Sequence, residues 1–187
     1  MKTILKISFF CTALLFANCK KSSNNTPAQL TIGQSYQGGL VAYIDGTGLH
    51  GLIVAPFNQS TGIQWYNGSN ITRGTGTAGY AIGTGNANTN AIVTSQGSGS
   101  YAAKLCYDLV LNGYDDWYLP SKDELNKLYL NKDMLVTIAY GGFADNYYWS
   151  SSENLSTNTW GQYFGATVQI LPFTKDYTNY VRAVRSF

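Results

Sequence analysis

Few side chains in this sequence could perform acid–base, nucleophilic or metal chemistry, and their spacing argues against each use in turn. His50 is the single histidine, so no metal centre built on several imidazoles can be assembled from it. His50 could serve a Ser-His-Asp relay with Ser150 or Ser151. The run Trp149-Ser150-Ser151-Ser152 lacks, however, the Gly-x-Ser-x-Gly turn that presents such a nucleophile, and His50 reads as a hairpin residue. Asp115 and Asp116 supply two carboxyls, and glycosidic hydrolysis uses a pair about 5–10 Å apart. Adjacent to each other before Trp117-Tyr118-Leu119-Pro120, they read as structural instead. Gly74-Thr75-Gly76-Thr77-Ala78-Gly79 has the letters of a dinucleotide fingerprint. No strand pattern precedes it, no amphipathic helix pattern follows it and no acid lies about 20 residues on, so a glycine-rich surface loop explains it.

The three cysteines divide by position. Cys11 falls in the apolar stretch from Ile7 to Phe16 that follows Lys2 and Lys6, the layout of a secretory signal and too short to span a bilayer. Cys19 is either a small residue near a signal-peptidase cut or the acylated first residue of the mature chain. Leu15-Phe16-Ala17-Asn18-Cys19 resembles a lipobox, and the polar run from Lys20 to Pro27 suits a tether, which favours the second reading. The expected organisation is a signal over 1–18, a flexible tether over 19–30 and one domain over 31–187. Acyl chains contribute about 0.8 kcal/mol per buried methylene, enough in multiple copies to hold a protein on a membrane without a spanning helix. Cys106 is left without an intramolecular partner, in an apolar helical pattern that makes it a buried, inert thiol.

Charge excludes a nucleic-acid partner. The chain carries 12 Lys+Arg against 10 Asp+Glu, and removal of Lys2 and Lys6 with the signal leaves 10 of each. Arg73, Lys104, Lys175, Arg182 and Arg185 are scattered, whereas phosphate binding by counterion release needs clustered cations.

These residues require a frame. Gly39 to Ile44 and Leu49 to Ala55 flank Asp45-Gly46-Thr47-Gly48 and read as a hairpin, with the Asp-Gly step supplying the positive φ of the turn. Phe57 to Gln96, rich in Gly, Thr, Asn and Ser, reads as a long ordered loop. Helical spacing begins near Ser100 through Ala102, Ala103, Leu105, Cys106, Leu109 and Val110, with Gly113 as its cap. Ser121-Lys122-Asp123-Glu124 is a capping box opening a second helix, with Leu125, Leu128 and Tyr129 as its inward stripe. Strands are expected over 147–151, 160–164, 167–171 and 180–184.

The segments Asn112-Gly113-Tyr114-Asp115-Asp116-Trp117-Tyr118-Leu119-Pro120-Ser121-Lys122-Asp123-Glu124-Leu125, Tyr147-Tyr148-Trp149-Ser150-Ser151-Ser152-Glu153 and Tyr180-Val181-Arg182-Ala183-Val184-Arg185 resemble the Lcl C-terminal domain family, named for a collagen-like adhesin. The similarity spans roughly Ile32 to Phe187. It implies an α+β fold that resembles C-type-lectin-like domains: an N-terminal β-hairpin, two helices, long loops and C-terminal antiparallel strands. The family's adhesin binds sulfated polysaccharide, which calls for a cationic surface that this near-neutral chain lacks, so a neutral or mixed-polarity sugar is the better expectation.

The same resemblance assigns provisional roles. Trp117, Pro120, Ser121, Glu124, Trp149, Glu153, Arg182 and Arg185 are motif residues, with Glu153 expected to pair with Arg182 or Arg185 and lock the strands. The alternative has them lining a pocket. Lectin-like domains use their terminal strands for ligands, which points to Trp160, Tyr163, Asp176, Tyr177, Asn179 and Tyr180, whereas Trp117, Tyr148 and Trp149 read as core. Calcium is the one cofactor that analogy leaves open, with Asp145, Glu153 and Asn154 as oxygen ligands, although the calcium-dependent sugar triplets are missing. Fifteen tyrosines and four tryptophans among many Ser, Asn and Thr match the composition of binding surfaces. The expectation is an exported, outer-membrane lipid-anchored module, on the periplasmic or cell-surface face, that binds glycan or protein without catalysis. Its rivals are an envelope glycan hydrolase and a structural envelope-assembly lipoprotein.

Overall fold

The computed structural model describes residues 29–69, 79–137 and 142–187. The signal, Cys19 and residues 74–78 of the glycine run lie outside the described residues. β1 (Ser35–Tyr36), β2 (Gly39–Ile44) and β3 (Gly51–Val54) form a meander, and β4 (Ser60–Gln64) follows. Three helices come next, α1 (Gly85–Gln96), α2 (Ala102–Tyr107) and α3 (Lys122–Leu130), then a 3-10 turn over Lys132–Met134. The chain ends in β5 (Tyr147–Leu155), β6 (Asn158–Tyr163), β7 (Gln169–Thr174), β8 (Thr178–Val181) and β9 (Val184–Ser186).

The strands divide between a sheet of order β1-β2-β3-β9 and a sheet of order β4-β8-β5-β6-β7. Pairing is antiparallel except between β5 and β8. The expected α+β class therefore holds. Only Arg182 and Ala183 separate β8 from β9, so the chain passes from one sheet to the other in two residues. β9 then pairs with β3, Leu52 opposite Ser186 and Val54 opposite Val184, and closes the C-terminus onto the N-terminal hairpin.

The hairpin is where the sequence places it, but its turn works differently. Asp45 accepts hydrogen bonds from the Thr47 and Gly48 amides, each at 3.0 Å, and the positive φ belongs to Gly48, not Gly46. The first expected helix is shorter than its apolar spacing suggests. α2 stops at Tyr107, and Val110 is solvent-exposed. Gly113 sits instead in a tight turn closed by Leu111 and Tyr114.

The larger correction is α1, a 12-residue helix inside the supposed loop. Its buried face is Gly85, Asn88, Thr89, Ile92 and Gln96, a helical period in which one residue alone is a large hydrophobe. Hydrogen bonds stabilise the rest of that face. Asn88 Nδ2 donates to the Gly79 carbonyl at 2.7 Å, and the Leu119 amide donates to Thr89 Oγ1 at 3.0 Å. α3, by contrast, begins with the expected capping box: the Glu124 amide donates to Ser121 Oγ at 3.3 Å and the Ser121 amide to Glu124 Oε2 at 2.7 Å.

Two apolar clusters fill the interior. One gathers Ile53, Trp65, Ile92, Tyr101, Trp117 and Trp149, the other Leu40, Val54, Leu125, Leu128, Tyr148 and Phe164. Both wholly buried indoles find acceptors, as an interior N–H requires. Trp65 Nε1 donates to the Ser150 carbonyl at 2.9 Å and Trp149 Nε1 to the Ile63 carbonyl at 2.8 Å.

Candidate functional site

One face of β5-β6-β7 carries a connected run of partly buried rings that continues inward from Phe173 to the wholly buried Trp149, 5.8 Å away. Tyr147 lies opposite Tyr163 in register, ring centroids 5.2 Å apart. Tyr147 stands 4.7 Å from Phe173, and Phe173 5.5 Å from Tyr177. Gly161 makes room for this: a Cβ there would meet the Phe173 ring at 3.1 Å, so the ring lies over bare backbone. The Tyr147 hydroxyl donates to Gln169 Oε1 at 2.7 Å, fixing the ring that joins the others. Tyr177 is 59% exposed and Leu171 43%, so the outer end of the run is open to solvent.

Of the residues expected at a ligand site, the structure brings Tyr163 and Tyr177 into this run and separates the others. Asn179 is buried on β8, and Tyr180 packs on Tyr148 with ring centroids 5.3 Å apart. Asp176 is exposed beside Tyr177, with its carbonyl accepting from Gln64 Nε2 at 3.1 Å. Trp160 points to the opposite sheet face, where the Lys122 ammonium sits 4.2 Å above its ring and Tyr80 meets it edge-on at 6.5 Å. Sequence reasoning missed Tyr147 as a surface residue and stopped its strand at Leu171, two residues before Phe173. The shared face of Tyr147, Tyr163 and Phe173 emerges only once the strands are paired, since aromatic residues directly across a ladder lie on one face.

β7 is a sheet edge, and Pro172 lies on it opposite Trp160. The Lys175 amide donates to the Thr157 carbonyl, which puts Thr159–Phe173 and Gly161–Leu171 in the hydrogen-bonded set of pairs and Trp160–Pro172 in the other. The proline nitrogen therefore faces outward and interrupts the free edge, which argues for recognition across the sheet face and against strand addition.

Three of the motif residues, Glu153, Arg182 and Arg185, are buried and held by polar contacts. Among the described residues Glu153 pairs with Lys175, and not with Arg182 or Arg185. The ammonium of wholly buried Lys175 reaches its carboxylate, passes 4.6 Å from the Trp65 ring centroid and also donates to the Ser156 carbonyl at 2.7 Å. Arg185 forks onto Asp116, Nε to Oδ1 at 2.6 Å and Nη2 to Oδ2 at 2.8 Å, and stacks 4.0 Å from the centre of Tyr114. That contact, with Arg185 hydrogen bonding as its first cause, holds the Asp116 carboxyl below its ordinary value. Arg182 is buried with carbonyl partners, Ala55 and Gly142, together with Asn58 Oδ1, all at 2.8–2.9 Å. Burial lowers its pKa.

Other chemistry considered from the sequence is dispersed. Ser150 and Ser151 are buried while His50 is exposed at the hairpin. Ser150 Oγ donates to the Trp160 carbonyl and Ser151 Oγ accepts from Asn88. Among the described residues no group of three or more His, Cys, Asp or Glu is arranged to hold a metal. Glu153, the acid shared by the calcium and ion-pair readings, faces an ammonium. A cleft of about 410 Å³ beside the β1–β2 turn, lined by Tyr36, Gln37, Leu40, Pro56 and Asn112 among others, has no ionisable acid or amine among the described residues of its walls. No helix among the described residues is long and apolar enough to cross a membrane.

The fold and this surface define a class: a mixed α+β domain whose distinguishing feature is an aromatic sheet face. The Lcl C-terminal domain family model matches residues 57–185, and the chain belongs to that family. Its fold is similar to that of a fimbrial protein from Bacteroides ovatus ATCC 8483, seen in a crystal structure, with a TM-score of 0.51 and 15% sequence identity. The likeness covers 72% of this chain and 35% of the fimbrial chain, so this protein spans about a third of that one, and what the two share is fold. Comparison with curated proteins gives no match.

Proposed function

We propose that this protein is a surface-displayed binding module that holds a neutral glycan chain at the exposed Tyr177 end of the aromatic face of β5-β6-β7 and makes or breaks no covalent bond. The observation that carries the reading is the run Tyr163-Tyr147-Phe173-Tyr177, four rings joined by centroid separations of 4.7–5.5 Å. Rigid rings offer their faces to the C–H side of a pyranose at low entropic cost, while Gln169 and the tyrosine hydroxyls serve its hydroxyl groups. Tyr147, Tyr163, Gln169, Leu171, Phe173 and Tyr177 include no cation to attract sulfate. Family membership and the fimbrial-like fold support a surface or adhesion role at this coarser level. The closure of β9 onto the N-terminal hairpin supports a lectin-like reading of the fold. Export and acylation at Cys19 are part of the same proposal, supported by the lipobox-like run Leu15-Phe16-Ala17-Asn18-Cys19, and calcium plays no part in the proposed contacts.

A glycan array probed with the mature chain, with and without calcium, tests this. Binding to neutral glycans that is unchanged by chelation and lost in Tyr177→Ala supports it. Release of sugar products, or binding untouched by Tyr177→Ala and Tyr163→Ala, overturns it. The exposed Val168 and Leu171 beside the rings favour, as a second reading, a protein partner on the same face. Crosslinking from position 177 in intact cells reports on that.

A further inference from the structure

A second concavity lies away from the aromatic face, between α1 and the segment that leads into α3. It has a volume of about 320 Å³, and Asn86, Asn90, Tyr107, Asp115 and Asp116 stand around it over a floor at Trp117 and Tyr118. Its polar groups are unevenly used. Both Asp116 oxygens accept from Arg185. Asn90 Nδ2 donates to the Asn86 carbonyl at 2.9 Å and to Asn86 Oδ1 at 2.8 Å, leaving the Asn86 amide N–H groups and Asn90 Oδ1 available. The exposed Asp115 carboxylate has no partner among the described residues. Tyr107, 46% exposed, forms one wall, with the Lys104 ammonium 5.7 Å over its ring and ion-paired to Asp108. The cleft thus presents one uncompensated negative charge, a planar donor, two acceptor groups and an aromatic face.

We infer that this cleft is a separate binding site for a single neutral sugar residue. A vicinal diol donates to the Asp115 carboxylate and accepts from the Asn86 carboxamide at once, a further ring hydroxyl donates to Asn90 Oδ1, and the ring carbons pack on Tyr107, so each of these groups gains a partner. An anionic ligand would meet Asp115 while the nearby cations, Lys104 and Arg185, are already paired with Asp108 and Asp116. A simple ammonium would satisfy Asp115 and leave the Asn86 donors unused. The cleft lies at the lower end of the roughly 300–1,000 Å³ range of small-molecule sites, which suits one saccharide unit and no longer chain.

The test is an amide-resolved NMR titration of the mature chain with methyl glycosides of glucose, galactose, mannose and N-acetylglucosamine, and with methylammonium and sulfate as competing probes. The inference expects saturable shifts at Asn86, Asn90 and Tyr107 for at least one glycoside. Asp115→Ala and Tyr107→Ala, both surface changes, each raise the Kd tenfold or more, Asp115→Asn raises it only a few-fold, and Tyr177→Ala leaves it unchanged. No shift with any glycoside, or a response to methylammonium that Asp115→Asn abolishes, overturns it. Because Tyr177 reads the sheet face and Asp115 reads the cleft, failure of one site leaves the other standing.

Discussion

Gly83 donates its backbone N–H to Glu124 Oε1 at 2.8 Å, across 41 positions of sequence. The other oxygen of the same carboxylate takes the Ser121 amide, so one buried acid serves the approaches to both α1 and α3. Burial raises the Glu124 pKa, against the hydrogen bonds from Ser121, Gly83 and Gly85. Glu124→Gln replaces one accepting oxygen with an NH2 group that must face an N–H donor. The variant loses about 2–3 kcal/mol, read as a lowered urea midpoint at pH 7. A carboxyl whose folded pKa is raised binds its proton more readily when folded. Its contribution is therefore full below the ordinary value of 4.5 and lost as pH rises through the folded value. The wild-type chain shows that decline in this window, and Glu124→Gln lacks it.

Gly85 is fixed by the same carboxylate. A Cβ at this position would lie 2.2 Å from Glu124 Oε2 and 2.8 Å from the Ser121 nitrogen. Gly85→Ala, ordinarily a stabilising change in a helix, costs about 1–3 kcal/mol here because α1 must shift away from α3. Differential scanning calorimetry of the two chains measures the difference.

α3 was legible because Ser121, Glu124, Leu125 and Leu128 write its cap and inward stripe in local chemistry. α1 was not, because its buried face is built from Asn88, Thr89 and Gln96, whose interior position depends on partners such as Gly79 and Leu119 brought by other segments. A hydrophobic-period search is blind to a polar buried face; only the recurrence of 85, 88, 89, 92 and 96 and the absence of Gly or Pro from 86 to 96 hinted at it. Of the aromatic face, composition disclosed the abundance of tyrosine, and the lectin-like resemblance pointed to the terminal region that holds Tyr163 and Tyr177. The link through Tyr147 and Phe173 follows from the β5-β6-β7 register, which is set by pairing between segments and not by any one of them.

Register also explains the partner of Glu153. Pairing of β6 with β7 carries Lys175 back to Thr157, and its side chain passes by Trp65 to the carboxylate. Lys175→Met removes the ammonium from both the buried Glu153 carboxylate and the Ser156 carbonyl and costs about 3–5 kcal/mol. The double variant with Glu153→Gln recovers part of that loss. A double-mutant cycle in urea quantifies the coupling, and purely additive single effects would remove the ion pair from the account.

Asp116 and Arg185 tie the segment before α3 to β9. Asp116 is held below its ordinary value of 3.8, so its contribution is present above that value and disappears as pH falls through the folded value. The carboxylate is about half exposed, which limits the effect to about 1 kcal/mol. Asp116→Asn therefore melts below the wild type at pH 7, and the gap closes as the pH is taken below 3.8. Arg185→Lys loses the two-pronged contact with Asp116 and the stack on Tyr114, and melts lower at neutral pH.

Cys106 sits in the first apolar cluster with no exposed surface, and burial pushes its thiol well above the ordinary range. The nucleophile in thiol alkylation is the thiolate, so both access and ionisation oppose reaction. In the folded chain Cys106 resists iodoacetamide at pH 8, and in concentrated urea it reacts at the rate of a free thiol. At intermediate urea the rate follows the fraction unfolded, with the same midpoint as tryptophan fluorescence. Prompt modification in the absence of urea would mean that α2 opens independently of the core it packs against.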